Sequence, residues 1–305
     1  MTTVLVTGGL GFIGRHVSRY FRSQGCRVIG IGHGEVTGRE ADEIGLHRWQ
    51  SGDVSRVSLD ALAEPVNLVI HCAGSSAVGA SFDDPDAEFR KNVGAADEIL
   101  EFVRHQNPRP RIVVLSSAAV YGVVTHLPIR EDAPLNPISP YGRNKCVIEE
   151  RCRQAGAEHE LEISIVRFFS VYGSGLRKLL FWDACQKFAN GESRFGGSGA
   201  ERRDWLHIRD ALRLIDVSAS HASAAVPIIN GGTGKSVMVS DALARLRALW
   251  GMPSAIAFSG QARPGDPPGY EADIARARSL GWTPVEEFDS GLAEYVSWAR
   301  GVLRP

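Results

Sequence analysis

The stretch Thr7-Gly8-Gly9-Leu10-Gly11-Phe12-Ile13-Gly14 constrains the fold more than any other part of the chain. It follows the β-branched run Val4–Val6 and opens an apolar pattern at helical spacing: Phe12, Ile13, Val17, Tyr20, Phe21. In such a strand–turn–helix unit Gly8 allows the tight turn, Gly11 lets the backbone approach a pyrophosphate, and Gly14 permits close helix–strand packing. Phe12 and Ile13 begin a helix whose unpaired N–H groups and dipole favour phosphate. Because strand, loop and helix agree, the loop predicts a dinucleotide site made by Gly8, Gly11, Phe12, Ile13 and Gly14 rather than a bare turn.

The pattern continues beyond this unit. Val28–Ile31, Leu68–His71, Ile112–Leu115 and Ile163–Val166 are short, nearly continuous apolar runs, as strands covered on both faces should be. Helical patterns separate them, including Phe89, Val93, Ala96, Leu100 and Val103. This predicts an α/β fold, a Rossmann-type doubly wound parallel sheet with a smaller C-terminal substrate-binding lobe. Residues 1–168 form the NAD(P)-binding domain. Residues 169–305 are mainly the lobe, with segments such as Pro227–Ile229 returning to the sheet.

Bulk properties exclude several classes. A net charge of -1 over 305 residues argues against nucleic-acid or membrane-surface partners. No apolar run approaches the ~20 residues of a membrane span, and no basic leader precedes the first strand. Five cysteines without a CxxC pair read as reduced core thiols, so no metal site is expected and the location is cytoplasmic.

The second strand pattern ends at Gly32, where readers of NAD commonly carry an acid for the ribose 2′-OH. Without that carboxylate a 2′-phosphate is not repelled, and His33 or Arg39 could pair with it. The alternative is that a backbone group or water meets the ribose. NADP(H) is therefore favoured, with NAD possible. Asp53 and Val54, after the next strand, suit adenine contacts, with a turn role equally open to Asp53.

Tyr141 and Lys145 lie one helical turn apart on one face. A phenol with pKa near 10 is a poor base at neutral pH, and a neighbouring ammonium plus a positively charged cofactor ring would lower it. Ser116 and Ser117 fall just past the C-terminal end of a strand, where open α/β sheets bind ligands. Ser117 is the candidate substrate donor, and Ser116 is read as a turn cap.

The combination of TGGLGFIG, HCAG at His71–Gly74, NVG at Asn92–Gly94, SSAAVYG, SPYGRNK and RRDWLHIRDA resembles the extended short-chain dehydrogenase/reductase family. The likeness is greatest to its nucleotide-sugar 4-epimerases and 4-ketoreductases, and it runs from Val4 to about Asp273. The resemblance implies Tyr141 as acid/base, Lys145 as its partner and a ribose contact, and Ser117 as substrate donor. It implies Ala73, Gly74 and Asn92 at the cofactor. A nucleotide-sugar would meet Arg203 and Arg263 at its diphosphate, Asp266 at its ribose or base and Phe195 at its base, with Ser76, Ser170 and Lys178 completing the set. Family members commonly pair two helices per subunit, which implies a homodimer through about Asp86–His105 and Pro140–Gln154.

Three departures shape the expectation. Ser170 stands where the family has a substrate-contacting amide, and Ser76 where 4-epimerases have a cofactor-contacting lysine. Ala118-Ala119 replaces the acidic pair of the 4,6-dehydratases, which argues against elimination chemistry. The reading is an NADPH-dependent reduction of a 4-keto nucleotide-sugar. The alternative is a nucleotide-sugar 4-epimerase holding NAD, and a non-catalytic NADP(H)-binding regulator is the rival from another class. Finally, Gly231-Gly232-Thr233-Gly234-Lys235-Ser236 looks like a phosphate loop but has Ile229 where the motif needs glycine. It reads instead as a strand-end turn before a helix capped by Ser240.

Overall fold

The computed structural model describes residues 1–74, 78–261 and 267–303. In chain order the first strands and helices are β1 (Thr3–Thr7), α1 (Phe12–Ser23), β2 (Arg27–Gly32), α2 (Gly38–Ile44), β3 (Arg48–Ser51), α3 (Arg56–Asp60), β4 (Leu68–His71), α4 (Pro85–Phe89), α5 (Ala95–Arg104), β5 (Arg111–Ser117), α6 (Pro140–His159) and β6 (Ile163–Phe168). They continue with β7 (Ser170–Tyr172), α7 (Leu179–Ala189), β8 (Arg194–Phe195), β9 (Arg202–His207), α8 (Ile208–Ser220), β10 (Ile228–Gly231), β11 (Ser236–Met238), α9 (Val239–Trp250), β12 (Ala257–Phe258), α10 (Ala275–Ser279) and α11 (Phe288–Leu303).

The chain divides into two compact units. The first comprises residues 1–120, 137–167 and 212–229, and the second 121–136, 168–211 and 230–305. A seven-stranded sheet of order β10-β6-β5-β4-β1-β2-β3 dominates the first. The β1–β2, β1–β4, β2–β3 and β4–β5 pairings are all parallel, as the alternating pattern predicted. Every residue of β1, β4 and β6 is buried, so the apolar runs are covered on both faces. Leu5, Ile29, Val69, Ile112, Ile163 and Ile165 pack with Val93, Ile99, Val103, Ile148 and Cys152 from α5, α6 and the turn before α5. Each such aliphatic side chain contributes roughly 1.5–3 kcal/mol by leaving water.

The apolar periodicity from Phe89 to Val103 reads as one helix, but the structure breaks it. One turn of π-helix at Arg90–Gly94 separates α4 from α5. The apolar residues on either side still fall at three- and four-residue spacing, so the sequence gives no sign of the wider turn that carries Asn92.

In the second unit β11, β9 and β7 form a three-stranded sheet, and β12 pairs with β8. Aromatic packing holds it: Phe181 stacks on Trp205 at 4.3 Å and Tyr172 meets Phe181 edge-on. Helix α9 begins at Val239 with Met238 at its N-cap and no side-chain cap, which corrects the expectation for Ser240. The Ser240 N–H instead donates to the Gly199 carbonyl.

Candidate active site

The glycine loop between β1 and α1 is shaped as a phosphate cradle should be. Helix α1 starts after Gly11 without any side-chain cap, leaving its first N–H groups to a ligand. A Cβ on Gly14 would lie 2.2 Å from the Gly8 carbonyl oxygen, so only glycine lets the helix start this close to the loop. Phe12 and Ile13 are half-buried in the first turn. Opposite, the Ala73 N–H donates to Thr7 Oγ1 at 3.0 Å, tying the end of β4 to that of β1. The Asn92 amide donates to the Glu88 carbonyl at 2.7 Å and the Glu88 carboxylate at 2.9 Å. A Cβ on Gly74 would meet Asn92 Oδ1 at 2.5 Å, so the bare backbone there makes room for the π-turn asparagine. These residues fit a dinucleotide cofactor.

At the end of β2, Gly32 has φ +154, which L side chains rarely adopt, and the Trp49 indole lies 3.3 Å from its Cβ position. The missing acid thus has a backbone cause. Nor are the two expected phosphate-binding cations unengaged. His33 Nε2 lies 2.9 Å from Asp53 Oδ1, and Arg39 pairs with Glu43 at 3.2 Å. A carboxylate absent from Gly32 is therefore supplied beside His33 by Asp53, which removes the physical ground for preferring a 2′-phosphate. Val54 is half-buried against the core.

The acid–base candidates come together in the first unit. Ser139 caps α6 by accepting the Gly142 N–H at 3.1 Å, and Pro140 occupies the first helical position, where its missing N–H costs nothing. Buried Ser81, which the sequence reading did not single out, accepts the Tyr141 N–H at 3.2 Å. No local pattern marks Ser81, since it lies 60 residues away. Tyr141 and Lys145 are 8% and 6% exposed, and the Ser117 hydroxyl faces the Tyr141 phenol. Strand β5 runs to Ser117 itself, so this hydroxyl is at the strand's last residue rather than beyond it. Burial raises the Tyr141 phenol above its usual range, against the Ser117 hydrogen bond that lowers it, and the Glu88 carboxylate raises it further. Lys145 is lowered to about 8, chiefly by burial. Its ammonium lies 5.7 Å from the Tyr141 ring centre. Ser116 is not a turn cap: it is buried and donates to Glu149 at 2.6 Å.

The remaining candidates belong to the second unit or lie outside the described residues. Ser170 opens β7, Lys178 is the exposed residue before α7, and Arg203 sits on β9 with its guanidinium donating to the Arg202 carbonyl at 2.8 Å. Phe195 is 2% exposed, edge-on to Phe188, with the Lys187 ammonium 4.7 Å over its ring. Ser76, Arg263 and Asp266 lie outside the described residues. The phosphate-loop look-alike proves to be an anion cradle already filled. Buried Asp204 accepts the N–H groups of Thr233 (2.6 Å), Gly234 (2.9 Å) and Ala272 (3.1 Å), and the Thr233 hydroxyl at 2.7 Å. Among the described residues no cluster could hold a metal ion, and no helix is long and apolar enough to cross a membrane.

A glycine-looped parallel sheet with Ser117 at the end of β5 and Tyr141 and Lys145 on α6 defines the Rossmann-type, dinucleotide-binding class. Residues 4–232 match the model of the NAD dependent epimerase/dehydratase family, and the chain belongs to that family. It is 31% identical to a UDP-glucose 4-epimerase of Azospirillum brasilense, across 98% of this chain and 92% of the relative. The fold matches MoeE5 in complex with UDP-glucose and NAD at a TM-score of 0.89, with 31% identity and 99% of each chain covered. It also matches a UDP-glucose 4-epimerase of Thermotoga maritima at 0.91, with 23% identity, covering 99% of this chain and 100% of that one.

Proposed function

We propose that the protein is a nucleotide-sugar 4-epimerase acting on a UDP-hexose, with NAD as its cofactor. The observation that carries this reading is the Ser117 hydroxyl facing the buried Tyr141 phenol, with Lys145 one turn further along α6. The full-length relatives named UDP-glucose 4-epimerase and the complex of MoeE5 with UDP-glucose and NAD support it over the reductase expectation.

When bound, the cofactor would take up and return hydride at the sugar C4. The chain's own task is to move one proton and hold the sugar. Tyr141 accepts the proton of the C4 hydroxyl and returns it after the sugar has presented its other face. Ser117 donates to the same oxygen and keeps it beside the phenol. Lys145 provides positive charge behind the ring, offsetting the rise that burial imposes on Tyr141, and contacts the nicotinamide ribose. Gly8, Gly11, Phe12, Ile13 and Gly14 hold the pyrophosphate, with Ala73, Gly74 and Asn92 on the opposite side and Asp53 and Val54 toward the adenine. Arg203 and Arg263 grip the sugar-nucleotide diphosphate, where guanidinium forks suit the geometry. Ser76, Ser170, Lys178, Phe195 and Asp266 complete the substrate contacts. We also propose a homodimer through α5 and α6.

Reduction of a 4-keto sugar by NADPH is the reading that this proposal displaces. One panel separates the two. Interconversion of UDP-linked hexoses without added cofactor supports the epimerase. Net NADPH oxidation on a 4-keto sugar, without epimerisation, would replace it by the reductase.

A further inference from the structure

Three consecutive residues of β5 hold three residues of α6. The Leu115 carbonyl accepts from Lys145 Nζ at 2.9 Å, the Ser116 hydroxyl donates to Glu149 Oε1 at 2.6 Å, and the Ser117 hydroxyl meets the Tyr141 phenol. Tyr141, Lys145 and Glu149 follow at four-residue spacing, which stacks them on one face of α6. Glu149 is fully buried and is gripped from β6 by Arg167, 2% exposed, through Nε at 2.9 Å and a terminal nitrogen at 2.7 Å.

A buried ion pair is a poor device for stability, because apolar side chains of similar volume do as well or better. Its directional bonds do something apolar contacts cannot: they fix the rotation and height of α6 against β5 and β6. A leucine pair would permit sliding, whereas a two-toothed Arg–carboxylate fork with a third donor has one good geometry. We propose that Glu149, held by Arg167 and Ser116, is a positioning residue for the reaction. It sets Tyr141 and Lys145 in register with Ser117 and supplies the buried counter-charge to Lys145. This rests on the reading of Tyr141 and Lys145 as the acid–base pair.

The electrostatic surroundings define the test. Lys145 faces His71 and Cys72 from the end of β4, and Cys152, Glu149 and Tyr141 on its own helix. Glu149 faces Arg167 from β6, Arg153 at 3.8 Å, and Cys146 and Cys152. Tyr141 faces Glu88 from α4. In this setting Glu149→Gln deletes one negative charge beside Arg167 and Lys145, lowering the pKa of the titratable groups around it.

Both limbs of the kcat–pH profile of the cofactor-loaded enzyme should then move to lower pH, by about one unit. The charge-neutral double variant Glu149→Gln/Arg167→Met should restore the profile's position. It should still lose roughly ten- to a hundredfold in kcat, with KM for the nucleotide-sugar little changed, because the helix register is no longer set. Ser116→Ala, which leaves the ion pair intact, should lower kcat less and keep the native profile. If Glu149→Gln does not fold, the double variant and Ser116→Ala carry the kcat-against-KM test. Variants that lose Tm but keep the native profile and kcat would overturn the proposal and leave the cluster as packing only. A Tyr141→Phe control separates the layers. Its inactivity beside native-like Glu149 variants sinks only the positioning role, while its full activity sinks the catalytic reading and this proposal with it.

Discussion

The Lys145 ammonium is directed at the Leu115 carbonyl, 2.9 Å away, and not at the Tyr141 oxygen. The lysine charge therefore lies 5.7 Å from the centre of the Tyr141 ring, and the backbone of β5 fixes where that charge sits. Among the groups that set the phenol's pKa here, burial is the largest and raises it. A lowered Tyr141 accordingly requires the additional positive charge that an oxidised nicotinamide ring would bring.

Tyr141→Phe should preserve the ring's packing and remove the transferable proton. With a nucleotide-sugar that turns over, kcat should fall by about 10²–10⁴-fold while cofactor affinity stays near normal. A phenylalanine enzyme with native kcat would reduce Tyr141 to a helix-start side chain.

Lys145→Met should separate stability from function. Burial holds the lysine at about 8, below its ordinary 10.5, so the fold resists keeping it charged. The sign follows directly: between those values the unfolded chain binds the extra proton, and stability from this group rises as pH climbs from 8. Near neutrality the methionine variant should gain about 1–2 kcal/mol, a few degrees in Tm, while losing activity. Melting curves at matched cofactor occupancy decide it; a lower Tm would show that the Leu115 carbonyl and Glu149 outweigh the cost of burying the charge.

His71 gives a handle of the same sign at lower pH. Its ring, buried beside Thr7 with Oγ1 and Nδ1 2.9 Å apart, is lowered to about 3 by burial and then by Lys145. The unfolded histidine protonates near 6.5 and the folded one does not, so stability present above 6.5 is lost as pH falls toward 3. By pH 5 the loss from this group is about 2 kcal/mol. His71→Asn should remove that increment from the difference between urea unfolding at pH 7 and pH 5. An unchanged difference would show that the imidazole protonates inside the fold.

Cofactor choice turns on Gly32 and Asp53. NAD should bind more tightly than NADP, and Asp53→Asn should narrow the gap by freeing His33 for a 2′-phosphate. Gly32→Asp should lower Tm rather than restore an NAD contact, because φ +154 suits glycine. Fluorescence titration with both reduced cofactors checks the order, and a native preference for NADPH would return the reductase reading to first place.

The α5 and α6 surfaces proposed to pair carry charge, including Asp97 and Arg151, 3.7 Å apart and each about half exposed. Light scattering at low salt should give twice the 33.0 kDa chain mass, and high salt should weaken the dimer. A monomer at every salt concentration would exclude this mode of pairing.

Local order was legible in the sequence wherever the cause was local. The strand–glycine–helix start, the apolar runs of β1, β2, β4, β5 and β6, the turn nature of the Gly231–Ser236 loop, and the Tyr141/Lys145 spacing all rest on neighbours in the chain, through steric limits, burial period and helical pitch. The tertiary structure alone decided what residues far apart do to one another. It gave Ser116 to Glu149, Asp53 to His33 and the Gly231–Ser236 loop to Asp204, and it put Ser81 at the head of α6. A polar side chain's partner is whichever group meets it after the sheet has closed, and no periodicity encodes that meeting. The same holds for charge: the sequence supplies the carboxylates and cations, but burial and distance, which exist only in the folded chain, determine which proton each one keeps.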